Sequence, residues 1–275
     1  MRYIEVGGVR VSALGLWLPS LQAGEGETRR AASRYFSRDY EGTLHDALSL
    51  GMNLIQLSNF PDRYYRPPLA KAIRGFVATP MPLLFRQRQM RRWAERLGRD
   101  AIVVVQTGGS RREIAAMRQL LDAGLVGNVE GFYLSVDKWQ HAERALGWPV
   151  LFNLANFDPF KGAPGRDLVA YARDAGRIII AHPFGWSKYH GIVYRGKSSP
   201  WEDGLWRDEG PWKRDLRAAI QGIARDHGTT PDRILFAWLT RFPVVALTLS
   251  PDAAAVDLEL SDSEHSTLTE LIGHK

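Results

Sequence analysis

Gly51-Met52-Asn53-Leu54-Ile55-Gln56-Leu57-Ser58-Asn59-Phe60 reads as the end of a helix running into a buried strand. Gly51 is the residue type that closes helices in the left-handed conformation, and the helix-like stretch Thr43–Leu50 stands directly before it. The short apolar run that follows suits a strand covered on both faces.

The same alternation of helix-like and β-branched segments continues outward in both directions, which argues for a parallel sheet wrapped by helices. A first hairpin, Tyr3–Val6 and Val9–Val11, turns at Gly7-Gly8. The expected sheet strands are Ala13–Leu18, Asn53–Ser58, Pro82–Gln87, Ala101–Thr107, Val129–Leu134, Val150–Asn156, Arg177–Pro183 and Val244–Ser250. Eight such strands are enough to close a barrel. Helices are expected at Thr43–Leu50, Arg111–Ala123, Val136–Leu146 after Ser135, Arg166–Ala175, Leu216–His227, and from Thr230-Pro231 onward. Lys188–Trp212, rich in Gly, Trp, Ser and charge, reads as a long loop. With no internal repeat and no linker, one domain spanning residues 1–275 is expected.

Composition narrows the function classes. The chain has no cysteine, which excludes thiolate metal sites, disulfides and Cys nucleophiles. The seven His residues are scattered, and no metal-ligand spacing is seen. The net charge of +6 is spread along the chain without a nucleic-acid recognition motif, so no nucleic-acid partner is expected. The N-terminus has no apolar signal-like stretch, and no apolar run reaches bilayer length. A soluble cytoplasmic protein that binds a small-molecule substrate is the expectation, with oligomeric state open.

Several short stretches carry a family resemblance. They are Gly8-Val9-Arg10-Val11-Ser12-Ala13-Leu14-Gly15-Leu16, Gly51-Met52-Asn53, Arg96-Leu97-Gly98 and Gly124-Leu125-Val126. Phe157-Asp158-Pro159-Phe160, Ile180-Ala181-His182-Pro183-Phe184, Thr230-Pro231 through Leu239, and Leu258-Glu259-Leu260-Ser261-Asp262 complete the set. In this order and spacing the chain resembles the aldo-keto reductases. The resemblance implies a (β/α)8 TIM barrel with an N-terminal β-hairpin. It also implies an Asp, a Tyr, a Lys and a His at the C-terminal ends of four strands, with NADPH as cofactor.

This chain departs from that set. The Asp aligns with Gln56, the Tyr with Pro61, the Lys near Arg86, or Arg88 in a slipped register, and the His near Gln106 or Thr107. The amide-holding Ser-Asn pair falls near Phe132 and Tyr133, and the cofactor-facing Gln near Asn153. After the eighth strand, Pro251–Val256 is too short for the family's phosphate loop and helix. No cofactor is therefore expected, and NADPH is disfavoured.

What remains at the expected barrel mouth defines the candidate site. His182 ends an apolar run and would serve as acid/base, unless it is a hydrogen-bonded structural histidine. Arg86 would stabilise an anion, with Asp62, Tyr64 and Asp158 as orienting groups. Trp17, Gln56, Tyr65, Gln106, Asn153, Trp186 and Tyr189 would contact substrate. Thr107-Gly108-Gly109-Ser110-Arg111 would cradle phosphate or merely turn strand into helix. The expected function is a cofactor-independent isomerase, lyase or cyclase acting on a small, aromatic or natural-product metabolite in biosynthesis. An NADPH-dependent carbonyl reductase with a rearranged site, and a non-catalytic binding protein, are the alternatives.

Overall fold

The computed structural model describes residues 1–18, 40–57, 75–79, 91, 95, 101–155, 157, 166–181, 211–248 and 257–273. The chain opens with the antiparallel hairpin β1 (Tyr3–Val6) and β2 (Val9–Ser12). Gly7 and Gly8 both hold positive φ, +57° and +79°, the geometry of a two-residue turn matched to the strand twist.

Eight parallel strands then close a barrel. In chain order they are β3 (Leu14–Leu18), β4 (Leu54–Leu57), β5 (Gly75–Thr79), β6 (Ala101–Thr107), β7 (Asn128–Phe132), β8 (Phe152–Ala155), β9 (Ile178–Ala181) and β10 (Val244–Thr248). β10 pairs with β3 to complete the ring. The helices are α1 (Tyr40–Ser49), α2 (Arg111–Asp122), α3 (Val136–Leu146), α4 (Arg166–Asp174), α5 (Pro211–Asp226), α6 (Pro231–Leu239) and α7 (Asp262–Gly273).

One strand differs from the sequence expectation. The third barrel strand is Gly75–Thr79, and the expected Pro82–Gln87 lies beyond it, outside the described residues. Phe76-Val77-Ala78-Thr79 can donate every ladder hydrogen bond, whereas Pro82 has no N–H to give. Arg86 is consequently not on this strand. α5 also begins at Pro211, five residues ahead of expectation, with proline in its first turn.

The core has two compartments. Leu54, Phe76, Ala78, Val104, Phe152, Leu154, Ile178, Ile180, Val245 and Leu247 fill the barrel. The alternate set, including Ile55, Val77, Val105, Val129, Ile179 and Ala246, packs outward against helix residues such as Met117, Trp139, Ala172 and Ile234. The hairpin belongs to the inner compartment. Val11 is fully buried within it, and Ile4, Val6 and Val9 pack against it.

The N-terminal end of the barrel is tied shut by polar groups that are all used. The Asn53 Oδ1 accepts from the Ser12 backbone N–H at 2.7 Å, and its Nδ2 donates to the Arg10 carbonyl at 2.8 Å. Ser12 Oγ accepts from the Asn53 N–H at 3.0 Å and donates to the Leu14 carbonyl at 2.6 Å. Gly75, at φ +91°, lies against this clamp, where a Cβ would stand 2.4 Å from the Asn53 carbonyl oxygen.

Candidate functional site

The inside of the barrel changes character toward its C-terminal end. Gln56 on β4 continues the inward face of Leu54, and Gln106 on β6 continues that of Val104. Glu130 on β7 sits in register between Gln106 and Phe152. In a barrel of this kind each strand is staggered by one residue from its neighbour. That stagger puts Gln56 and Gln106 in one layer with Leu154 and Leu247. Glu130 falls into the layer directly beneath, beside Gly15, Ala78 and Ile180.

All three polar side chains are buried: Gln106 is 6% exposed, Gln56 2% and Glu130 0%. Among the described residues, Glu130 is the only acidic or basic side chain in the buried class. Gln56 Nε2 donates to Glu130 Oε2 at 3.5 Å, and Gln106 makes a second side-chain hydrogen bond to the same carboxyl. Burial dominates these two bonds and pushes the Glu130 carboxyl up to about 8. At neutral pH the group is therefore a neutral acid.

Two atoms of this cluster have no hydrogen-bond partner: Glu130 Oε1 and Gln56 Oε1. A buried polar atom left unpaired costs roughly 1–3 kcal/mol, and an apolar residue at either position would avoid it. Unspent polarity of this kind is what functional sites retain.

Aromatic groups surround the cluster on the mouth side. Trp17, next to last on β3, is in register with Gln56 and packs on the inner compartment. Phe132 continues the inward register of β7 and is 45% exposed, so solvent reaches the strand end two residues above Glu130. Tyr133 follows with φ +54°, the one non-glycine residue with positive φ among the described residues. Its N–H donates to the Leu154 carbonyl at 2.8 Å, and its ring meets Phe132 edge-on at 4.6 Å. A bulky residue in the left-handed region stores strain, and such strain clusters at functional sites. Burial, with a smaller contribution from Glu130, pushes the Tyr133 hydroxyl up to about 12.

The structure brings Trp17, Gln56 and Gln106 of the sequence-expected residues together. Asn153 is elsewhere. It lies on the outward face of β8, fully buried, where its Nδ2 donates to the Leu134 carbonyl at 2.9 Å. Its Oδ1 accepts from the Leu134 N–H at 3.1 Å, so both ends of the amide are occupied by the chain after β7. A Cβ at Gly131 would stand 2.7 Å from Asn153 Oδ1, which explains the glycine there. His182, Arg86, Asp62, Tyr64, Asp158, Tyr65, Trp186 and Tyr189 lie outside the described residues.

The Thr107–Arg111 turn is a capped helix start. Ser110 Oγ accepts from the Glu113 N–H at 3.3 Å, and Glu113 Oε2 accepts from the Ser110 N–H at 3.0 Å. The Glu113 carboxylate stands where a phosphate would bind, and this capping box accounts for the motif.

Glu130 and Tyr133 were not among the sequence candidates. Alternation sets Glu130 on the face opposite the apolar Val129, but which of the two faces turns inward is fixed by the register with β6 and β8.

No family model matches the chain. It is 27% identical over 310 aligned residues to an uncharacterised oxidoreductase of Mycobacterium bovis, covering 98% of this chain and 92% of that protein. Uncharacterised oxidoreductases of two Mycobacterium tuberculosis strains match to the same degree. Among solved structures, a thermostable aldo-keto reductase superposes with a TM-score of 0.68 at 17% identity, covering 98% of this chain and all (100%) of that one. The glycerol dehydrogenase of Gluconobacter oxydans gives 0.65 at 14% identity, over 98% and 94% of the two chains. An aldo-keto reductase of the silkworm Bombyx mori gives 0.63 at 18% identity, over 98% and 87%. The chain is thus a (β/α)8 barrel of aldo-keto reductase type, and its curated relatives carry the name oxidoreductase.

Proposed function

We propose that the chain is an enzyme acting on a small carbonyl compound at the C-terminal mouth of the barrel. The observation that carries this reading is the Gln56–Glu130–Gln106 cluster, polar and partly unpaired, at the end of the barrel where enzymes of this architecture hold their chemistry. The likeness to proteins named oxidoreductases over nearly the whole chain makes carbonyl reduction the first reading. In it the Gln56 and Gln106 amides orient the substrate's polar group, and Trp17 walls the site.

The fold family implies a nicotinamide dinucleotide as hydride carrier. The described residues at its expected amide-holding positions do not fit one. Both amide atoms of Asn153 are engaged by Leu134, and Phe132 and Tyr133 stand where Ser and Asn would hold the carboxamide. No step is derived through that group. The misfit favours a second reading, cofactor-independent proton transfer by an isomerase, lyase or cyclase. His182 as acid/base, Arg86 as anion stabiliser, and Asp62, Tyr64 and Asp158 as orienting groups belong to that reading. Tyr65, Trp186 and Tyr189 would then face substrate.

Calorimetric titration with NADPH, followed by its oxidation against a panel of aldehydes and ketones, separates the two. Micromolar binding with carbonyl-dependent oxidation supports reduction. Absence of binding at millimolar NADPH removes it and leaves cofactor-free chemistry or a non-catalytic binding role. Full activity in His182→Ala would remove that residue from either mechanism.

A further inference from the structure

We propose that helix α7 is an acid-released latch: charging His265 at its seat against Trp238 and Phe242 frees the helix from the outside of the barrel while the barrel stays closed. The proposal is independent of any activity at the mouth.

α7 is docked through polar joints as well as through its buried Leu268 and Ile272. Arg241, just past α6, donates from Nη1 to the Asp262 carboxylate and from Nη2 to the Leu260 carbonyl, the latter at 2.6 Å. Trp238 Nε1 on α6 donates to Thr269 Oγ1 at 3.0 Å. Glu264 serves twice. Its Oε2 accepts from the Ser261 N–H at 2.7 Å and caps the helix, while its Oε1 meets Nε2 of His227, just past α5, at 2.8 Å.

His265 lies among these joints. Its ring stands 5.3 Å from that of Phe242 and 6.4 Å from that of Trp238, to which it is nearly parallel. Nε2 is shut off from water and has no hydrogen-bond partner. An imidazolium carries an N–H on both nitrogens, whichever of them held the proton before. Charging the ring therefore leaves a buried donor on Nε2 with no acceptor. The cation also faces Arg241, and the carboxylate that faces it, Asp262, is already engaged by that guanidinium.

Burial first, and the Arg241 charge second, hold the imidazole below its ordinary 6.5, against the pull of the Trp238 carbonyl and Asp262. A depressed value means that the docked helix favours neutral His265. That contribution to docking is present above pH 6.5 and is lost as pH falls below it, because the released helix takes up the proton more readily. Burial works against ionisation of Glu264, but hydrogen bonds from Ser261 and His227 outweigh it and hold the carboxyl below 4.5, outside this window. Glu130 acts in the opposite sense, since acidification from about pH 8 steadies the barrel itself.

Hydrogen-exchange mass spectrometry of the full chain at about pH 7.5 and about pH 5.5, corrected for the intrinsic pH dependence of exchange, separates helix from barrel. Protection across Asp262–Gly273 is expected to fall about tenfold on acidification, while the strands β3 to β10 keep or gain theirs. His265→Phe keeps a ring in the seat and removes the titrating group, so its α7 should be equally protected at both pH values. His227→Gln removes the other imidazole at this joint and should leave the pH dependence in place. The proposal is overturned if α7 keeps its protection in acid, or if helix and barrel lose protection together. It is equally overturned if His265→Phe responds like the parent chain, or if His227→Gln abolishes the response. The comparison of helix with barrel in the unmodified chain decides even where a variant fails to fold.

Discussion

The two ends of this barrel solve the same problem in opposite ways. At the N-terminal end a hairpin plugs the opening, and Asn53 and Ser12 use their side-chain polar groups on backbone partners. At the C-terminal end, buried Gln56 and Glu130 each keep one polar atom unpaired. The first arrangement is what stability alone produces. The second costs stability, and it lies where barrel enzymes bind their substrates. The contrast sets residues whose polar groups the fold uses against residues whose polar groups it leaves over.

The largest test of that contrast is the pH dependence of stability. Burial raises the Glu130 carboxyl from 4.5 to about 8 in the folded chain. Its contribution is fully present below pH 4.5, where both folded and unfolded chains carry the proton. It is lost as pH rises toward 8, because the unfolded chain ionises first. At 1.36 kcal/mol per unit this amounts to about 5 kcal/mol across the window. Urea denaturation of Glu130→Gln beside the parent chain, from pH 5 to 9 in steps of about one unit, isolates this group from the others. The variant should gain on the parent steadily as pH rises. A constant difference would mean that Glu130 is solvated or paired with a cation.

Backbone substitutions give the next effect. Gly75→Ala at the closed end places a Cβ 2.4 Å from the Asn53 carbonyl oxygen, at φ +91°. A loss of about 3 kcal/mol or more is expected, because neither backbone can yield without opening the clamp. Gly109→Ala at the mouth shares a positive φ, +82°, yet its Cβ meets Leu134 Cδ2 at 3.4 Å. About 1 kcal/mol is expected there. Equal losses in chemical denaturation would erase the distinction between the ends.

Asn53 and Asn153 make a finer comparison. The sequence offers no means of telling their roles apart, since each is a polar residue in an apolar run, Asn53 just before β4 and Asn153 within β8. In the structure each amide clamps a backbone segment. Asn53→Ala and Asn153→Ala should therefore each cost about 2 kcal/mol, through buried backbone groups left unpaired. Neither should change NADPH binding or turnover of a carbonyl substrate. A selective loss of either in Asn153→Ala would return that residue to the substrate side.

These pairs also explain which parts of the molecule are legible in the sequence. Seven barrel strands lie where apolar runs meet turn residues, because burial on both faces leaves that pattern directly in the chain. The third strand was displaced because Pro82-Leu83-Leu84-Phe85 is more apolar than Gly75-Phe76-Val77-Ala78-Thr79, while hydrogen-bonding capacity favours the latter. Gln56 and Gln106 were legible as polar interruptions of apolar strands. Glu130 was hidden, since its strand begins with the polar Asn128 and only the barrel's register shows which face turns inward. The special backbone of Tyr133 has no signature in residue type at all.

The smallest expected effect is the sharpest. Gln56→Leu removes one long hydrogen bond to Glu130, which keeps its bond from Gln106. It also removes an unpaired buried carbonyl and adds apolar contact with the inner compartment. These terms oppose one another and are each on the order of 1 kcal/mol. Stability by urea denaturation should consequently shift by less than about 1 kcal/mol in either direction. A loss of 3 kcal/mol or more, comparable to that expected of Gly75→Ala, would place Gln56 with the structural clamps. A near-neutral result has the opposite meaning. The lost hydrogen bond and the relieved unpaired carbonyl then cancel, and Gln56 is not among the groups that hold the fold together.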